Sequence, residues 1–302
     1  MKELFSNVGQ LVSFRTVDDF EIVGMLFQND PNSLRKIVVH IHGNFGNFYQ
    51  NKFLWYMSKI YCQSGIDLLT VNLSSHDGLA EGYYGVQLKY VGGGVADYND
   101  SQKDIQAAVD FAKRRGYEEI ILQGHSLGCD KIIEYSVSTH GDNKMILLSP
   151  VDSYAVQALW RKPETVEEQI TRIEAMEFSE RDNGWGKADL NWANKNEYGA
   201  LGDCAEWVYQ IPITYDALIK ILKGSAFHYL NLEKNPEYSL SNKCIAFVGK
   251  KDGLQLHRQS IWVDYLRSKF TNLMVIDDLD ADHDVVGVEE ILINRIVRWI
   301  EA

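Results

Sequence analysis

Residues 12–16 and 20–27 are two short strand-like runs separated by Asp18-Asp19, which predicts an antiparallel hairpin. The pattern then changes character. Lys36-Ile37-Val38-Val39-His40-Ile41-His42 is almost wholly apolar and stops abruptly at Gly43-Asn44, and residues 66–73 form another such run. Continuous runs of this length predict strands covered on both faces. Between them, apolar positions recur at helical spacing over 51–64, and Ile105, Ala108, Val109 and Ala112 mark a second helix within 99–115. A strand over 119–123 ends at Gly124, a helical segment with Ile132, Ile133 and Tyr135 follows, and 144–149 predicts a further strand. Strands alternating with helices at this rhythm indicate the α/β class, a mostly parallel sheet with helices on both faces.

From residue 151 to 240 the rhythm lapses, and the spacing there is helical with no intervening strands. Pro163 followed by Glu164, Glu167 and Glu168 predicts a helix start, since proline suits the first turn and acids suit its dipole. Val166, Ile170 and Ile173 give that helix one apolar face; Trp160, Trp185, Trp192, Trp207, Tyr209 and Tyr215 also fall in this stretch. The sheet resumes at 244–249, followed by a helix over 258–269 and a strand over 273–276. A last helix is expected to carry Val288, Ile291, Leu292, Ile296 and Trp299 on its inner face. The expected organisation is a sheet core from residues 1–150 and 241–302, interrupted by a helical cap at 151–240.

Composition narrows the function. The 302 residues are 45% hydrophobic and 24% charged, enough for a sizeable core and wrong for a disordered chain. The balance of 30 basic against 42 acidic residues, a net −12, argues against nucleic-acid binding and against docking on anionic membranes. No apolar run is long enough to span a bilayer, and Met1 to Gln10 holds no apolar leader, so a soluble cytoplasmic protein is expected. Cys62, Cys129, Cys204 and Cys244 form no CxxC pair and read as small packed hydrophobes.

The chemistry gathers at strand ends. Gly124-His125-Ser126-Leu127-Gly128 matches G-x-S-x-G, a string that chance alone would give in roughly one such chain in ten. Its place between a buried strand and a helix makes it specific, because a serine there rides a strained turn above the sheet's carboxyl edge. Such a serine needs a base and an orienting acid, in the chain order Ser, Asp, His. His283 follows the last strand. Asp252 follows the strand at 244–249, while Asp152, just after the strand at 144–149, competes for the same role. Two main-chain N–H donors must face the developing oxyanion: Leu127, and Asn44 or Phe45 in the loop His42-Gly43-Asn44-Phe45-Gly46-Asn47. Phe45, His125, Trp160, Trp185 and Trp207 are the candidate substrate contacts, although the tryptophans serve equally as the cap's own core.

These elements resemble the α/β-hydrolase superfamily along the whole chain, with a helical cap after the sixth strand of that fold. Haloalkane dehalogenases share the His-Gly-Asn loop but place an Asp at the turn, where this chain has Ser126. The segments 124–130 and 148–153 are similar to a group of uncharacterised hydrolases that includes fungal siderophore esterases. The resemblance implies a serine hydrolase that cleaves a small ester, thioester or amide through Ser126, His283 and Asp252. Acyl transfer from the same intermediate, or a ligand-binding module on the same scaffold, are the alternatives. No cofactor is implied. The aspartates at 278, 280, 282 and 284 with Glu289 mimic calcium-loop offsets, but His283 stands where a glycine is needed. Gly92-Gly93-Gly94 lacks the Lys-Ser/Thr of a phosphate loop and reads as a flexible segment near the site's mouth.

Overall fold

The apolar runs form the centre of an eight-stranded sheet. The structure, a computed structural model, describes residues 9–28, 36–160, 164–176, 185–190, 209–227 and 229–302. The first strands are β1 (Gln10–Arg15), β2 (Glu21–Phe27), β3 (Lys36–Ile41), β4 (Ile66–Val71), β5 (Ala80–Tyr84) and β6 (Gln87–Val91). After them come β7 (Glu119–His125), β8 (Met145–Leu148), β9 (Trp185–Leu190), β10 (Tyr209–Thr214), β11 (Leu240–Phe247) and β12 (Phe270–Ile276). The large sheet runs β1-β2-β4-β3-β7-β8-β11-β12. The hairpin pairs antiparallel from Gln10–Leu26 to Arg15–Glu21, β2 pairs antiparallel with β4, and every pairing from β4 to β12 is parallel.

Parallel strands need crossovers, and these supply the covering layers. Helices α1 (Phe53–Gln63) and α8 (Glu289–Glu301) cover one face; α2 (Asp100–Arg114), α3 (Leu127–Thr139) and α7 (Gln259–Lys269) cover the other. Successive residues of β3 serve opposite cores. Ile37, Val39 and Ile41 pack with Ile105, Ala108, Ile132 and Trp262, while Val38 packs with Phe53, Met57, Tyr61 and Ile296. Each such side chain, fully buried, contributes about 1.5–3 kcal/mol, which is why the central strands tolerate no polar alternation.

Three features depart from the sequence expectation. The β5–β6 hairpin, joined to the sheet at the Phe20–Tyr84 bridge, carries Tyr83, Leu88 and Tyr90 exposed. Its mixture of Gly, Tyr and charged residues gives no clean period. The segment between β8 and β11 is not purely helical. It holds α4 (Ser153–Trp160), α5 (Val166–Glu174) and α6 (Tyr215–Phe227), and also the antiparallel pair β9–β10. The run WGKADL lacks apolar alternation, and Pro212 argues against a strand unless it has a free edge, which a two-stranded ribbon provides. Helix α5 starts later than the proline predicts. Thr165 and Glu168 bond each other's main-chain N–H as a capping box, and Pro163 lies outside the described residues.

Tyr154, Val166, Ile173, Leu218 and Leu222 form a third core, separate from the two that sandwich the sheet. Two carboxylates bind the ends of this insertion to each other. Asp130 on α3 accepts from Ser153 Oγ at 2.7 Å and from Leu230 N–H at 2.8 Å; Asp152 accepts from Ala155 N–H and Leu232 N–H, both at 2.9 Å. Burial pushes the Asp130 carboxyl up to about 8, against the opposing pull of those two donors. Among the described residues no helix is long and apolar enough to cross a membrane. Cys62, Cys129 and Cys244 are buried free thiols; Cys204 lies outside the described residues.

The tightest demand on the sequence is at Gly128, where a Cβ would stand 2.2 Å from the Ile41 carbonyl oxygen. Gly287 by contrast has a φ of +85° and nothing within 4 Å. Gly128→Ala is expected to lower stability by about 3 kcal/mol or more, because main chain must move. Gly287→Ala should cost only about 1 kcal/mol of left-handed strain. Urea midpoints of the two variants check this, and equal midpoints would refute it.

Candidate active site

Strand β7 ends at His125 and α3 begins at Leu127, so Ser126 alone makes the turn, at φ 54° and ψ −126°. A serine rarely adopts such a backbone, and it persists only when its surroundings over-determine it. They do. Ser126 N–H donates to the Leu148 carbonyl of β8 at 3.0 Å, and its own carbonyl accepts from Cys129 N–H at 2.9 Å. A Cβ at position 124 would lie 2.4 Å from the Gly128 carbonyl oxygen, so both glycines of the pattern are sterically required. The half-buried serine therefore sits at the carboxyl edge of the sheet, as its motif predicts.

Asp252 and His283 come together on that edge. Gly249 main chain presses on the loop after β12: a Cβ there would be 2.4 Å from the Ala281 carbonyl oxygen, which also accepts from Lys251 N–H at 2.9 Å. This lacing brings His283 Nδ1 to 3.0 Å from both Asp252 carboxylate oxygens. The Asp252 side chain is 1% exposed, and Leu254 N–H also bonds it at 2.9 Å. The loop of His283 is held in turn by Asp282, whose Oδ1 accepts from Asp284 and Val286 N–H, and by buried Val285 at φ 63°. A β-branched residue in that region is a strained outlier. Burial of the imidazole pulls its pKa down, but Asp252, then Asp284 and Asp282, outweigh it and the net shift is upward.

The loop after β3 lies against Ser126. A Cβ on Gly43 would be 2.8 Å from Ser126 Cβ and 3.4 Å from its Oγ. His42 is wholly buried and fixes this loop: its Nε2 accepts from Leu73 N–H at 3.1 Å, so Nδ1 carries the proton and donates to Gly43 O at 2.9 Å. Asn47 donates to Asp77 at 2.6 Å, and Phe45 takes a φ of 52° in the turn closed by Gly46 N–H on Gly43 O. Among the described residues, no carbonyl accepts from the N–H groups of Asn44, Phe45 or Leu127. Unengaged donors on both sides of a serine can bind a developing oxyanion.

Other candidates sort differently. The Asp152 carboxylate meets another histidine, His257 Nε2 at 2.8 Å, and not His283. That second His-Asp pair was not legible in the sequence, since nothing marks His257 as an acid's partner. His125 is buried, with Nε2 donating to the His283 carbonyl at 2.9 Å and Nδ1 accepting from Asn51 at 3.4 Å, so it presents no ring nitrogen to a substrate. Phe45 is half-buried against Gly93. Gly92, Gly93 and Gly94 are not loose: their N–H groups bond Ser74, Asp77 and Gly78 carbonyls at 2.7–2.9 Å. Trp160 closes α4 and Trp185 opens β9, whereas Trp192 and Trp207 lie outside the described residues. In the acidic loop Asp278 pairs with Arg295 and Asp280 lies near Lys250 and Lys251.

No protein-family model matches the chain, and no curated protein matches it. Solved structures do. The α/β hydrolase GrgF from Penicillium superposes with a TM-score of 0.66 at 15% identity, covering 97% of this chain and 98% of that one. Est1E from Butyrivibrio proteoclasticus, with ferulic acid bound, gives 0.63 at 13% identity, covering 96% and 98%. An esterase of Pyrococcus furiosus gives 0.59 at 13% identity, covering 99% and 92%. Near-complete coverage in both directions, together with the strand order and the crossovers, leaves one description: the protein has the α/β-hydrolase fold.

Proposed function

We propose that the protein is a serine hydrolase that cleaves carboxylic esters, with Ser126 as nucleophile, His283 as base and Asp252 as orienting acid. The observation that carries the reading is His283 Nδ1 at 3.0 Å from both oxygens of a buried carboxylate, on a loop whose His283 carbonyl is bonded by His125, the residue before the left-handed Ser126. Esterases among the proteins that share the fold support it.

In this reading Ser126 Oγ attacks the substrate carbonyl carbon while His283 Nε2 takes the hydroxyl proton. The carbonyl oxygen becomes an oxyanion, which the N–H groups of Leu127 and Asn44 stabilise. His283 then returns the proton to the departing alkoxide, leaving an acyl-enzyme. Water attacks that ester by the same route and releases the acid. Asp252 holds the Nδ1–H tautomer and favours the transient imidazolium. Residues 151–240 act as the cap, and Phe45, half-buried in the loop after β3, lines the acyl site. A small-molecule ester needs no cofactor here.

Labelling by a fluorophosphonate, beside turnover of p-nitrophenyl and feruloyl esters of varied length, tests the proposal. Ser126→Ala is expected to abolish labelling and to lower kcat by on the order of 10⁶. Retention of more than a few per cent of activity would exclude Ser126. The rising limb of the kcat/KM profile should have its midpoint above the ordinary histidine value of 6.5, since only neutral His283 accepts the proton. Asp252→Asn removes the partner that raises that value, so the midpoint moves down and kcat falls roughly 10⁴-fold. Asp152→Asn should stay within about tenfold of wild type in kcat while losing about 1–3 kcal/mol of stability, because it leaves donors of both cap stems poorly met. The reverse ranking would assign the acid to Asp152.

A further inference from the structure

We propose that His125 is a positioning residue for the base: it holds the main chain of His283 and so fixes where that imidazole stands beside Ser126. The inference rests on the Ser126-His283-Asp252 reading above.

Asp252 secures the base only by its ring, at Nδ1. A ring held at one atom still swings with its own Cα. Upstream, the loop is tied at the Ala281 carbonyl, two residues before the base; downstream, Asp282 turns the chain through the N–H groups of Asp284 and Val286. The carbonyl of His283 itself is taken by His125 Nε2–H at 2.9 Å. His125 is in turn immobilised. It is 5% exposed, its Nδ1 accepts from Asn51, and its ring meets Phe53 edge-on with centroids 5.0 Å apart. The residue that precedes the nucleophile thus clamps strand β7 to the base's loop, and Ser126 and His283 share one rigid frame. Misplacing a catalytic group by 1 Å can cost roughly a hundredfold in rate.

Charge explains why this clamp does not compete with the base. The two imidazoles have centroids 5.0 Å apart, so protonating both is unfavourable. Burial, and then His283 itself, holds His125 down to about 4, which keeps it a neutral donor–acceptor pair. The carboxylates facing this pair are Asp252 from the loop after β11 and Asp282 and Asp284 from the base's own loop. They settle the proton on His283.

The test is an imidazole ¹⁵N NMR titration of the full chain, with fluorophosphonate labelling rates measured in parallel. His125→Gln keeps an N–H near the reach of Nε2; His125→Phe keeps the ring's bulk and removes the donor. Asn51→Ala frees the far side of the clamp from a position that is only half-buried. His283 is expected to titrate above 6.5 in wild type and in His125→Gln. In His125→Phe it should fall by about half a unit or more as its contact with Asp252 loosens, and labelling should slow by roughly 10–100-fold. Asn51→Ala should give a smaller change of the same sign in both. A His283 titration unchanged in His125→Phe and Asn51→Ala would overturn the proposal, and if His125→Phe fails to fold by circular dichroism, Asn51→Ala decides alone. Should the titrations shift as expected while even the wild type resists labelling, the hydrolase reading falls and the role of His125 in holding His283 stands.

Discussion

Much of this structure depends on one main-chain contact, Gly128 pressed against the carbonyls of Ile41 and His42. Helix α3 can begin there only because no side chain intervenes. With the helix start that close to the end of β3, Ser126 must turn at a positive φ, and the loop that follows His42 must pass directly over it. The serine, its two candidate oxyanion donors and the carboxyl edge are thereby set by sterics, before any hydrogen bond is counted. Hydrogen bonds then refine what sterics impose. His42 locks the loop after β3 to the end of β4, and the Leu148 carbonyl locks Ser126 to β8.

The parts that were legible in the sequence are those governed by local rules. Apolar runs at 36–42, 66–73 and 119–123 became the parallel strands because a strand covered on both faces has no freedom to alternate. Asp252 and His283 were found by their places after strands, and the structure brings them to 3.0 Å. Asp152 competes for the role from the loop after β8, although Asp252 has the cleaner strand before it and Gly253 to turn the chain. Contacts between distant segments then pair Asp252 with His283, through the lacing of Gly249 against Ala281, and Asp152 with His257. His125 shows the same limit from the other side: its motif position suggests a substrate contact, but its partner lies 158 residues away. The ribbon β9–β10 escaped because its residues lack apolar alternation. Thr165-Val166-Glu167-Glu168 is a capping box in plain view, and it marks the start of α5 better than Pro163 does.

The histidines divide by hydrogen bonding and burial into a structural set and a reactive one. Burial, joined at His42 by the charge of Lys131, holds His40 and His42 far below the ordinary range, His40 to about 3, so they act as fixed neutral hydrogen-bonding groups. His125 belongs with them. His283 is the exception, since three carboxylates surround it and its shift runs upward. Among these four imidazoles, His283 alone is shifted upward, and charge placed around it makes the difference.

The carboxylates that gather the two stems of the insertion have a bearing on how this fold can change. Asp130 joins Ser153 to Leu230, and Asp152 joins Ala155 to Leu232. The chain thus leaves the sheet and returns to it through a closed neck, with its own small core beyond. Closing a long loop costs only slowly more as the loop lengthens. The neck fixes both ends whatever lies between, so the intervening chain is free to lengthen, shorten or be exchanged for another without altering the register of β8 or β11. In evolutionary terms the neck is a splice point, and a different insertion could be inherited while the sheet that bears Ser126 stays the same.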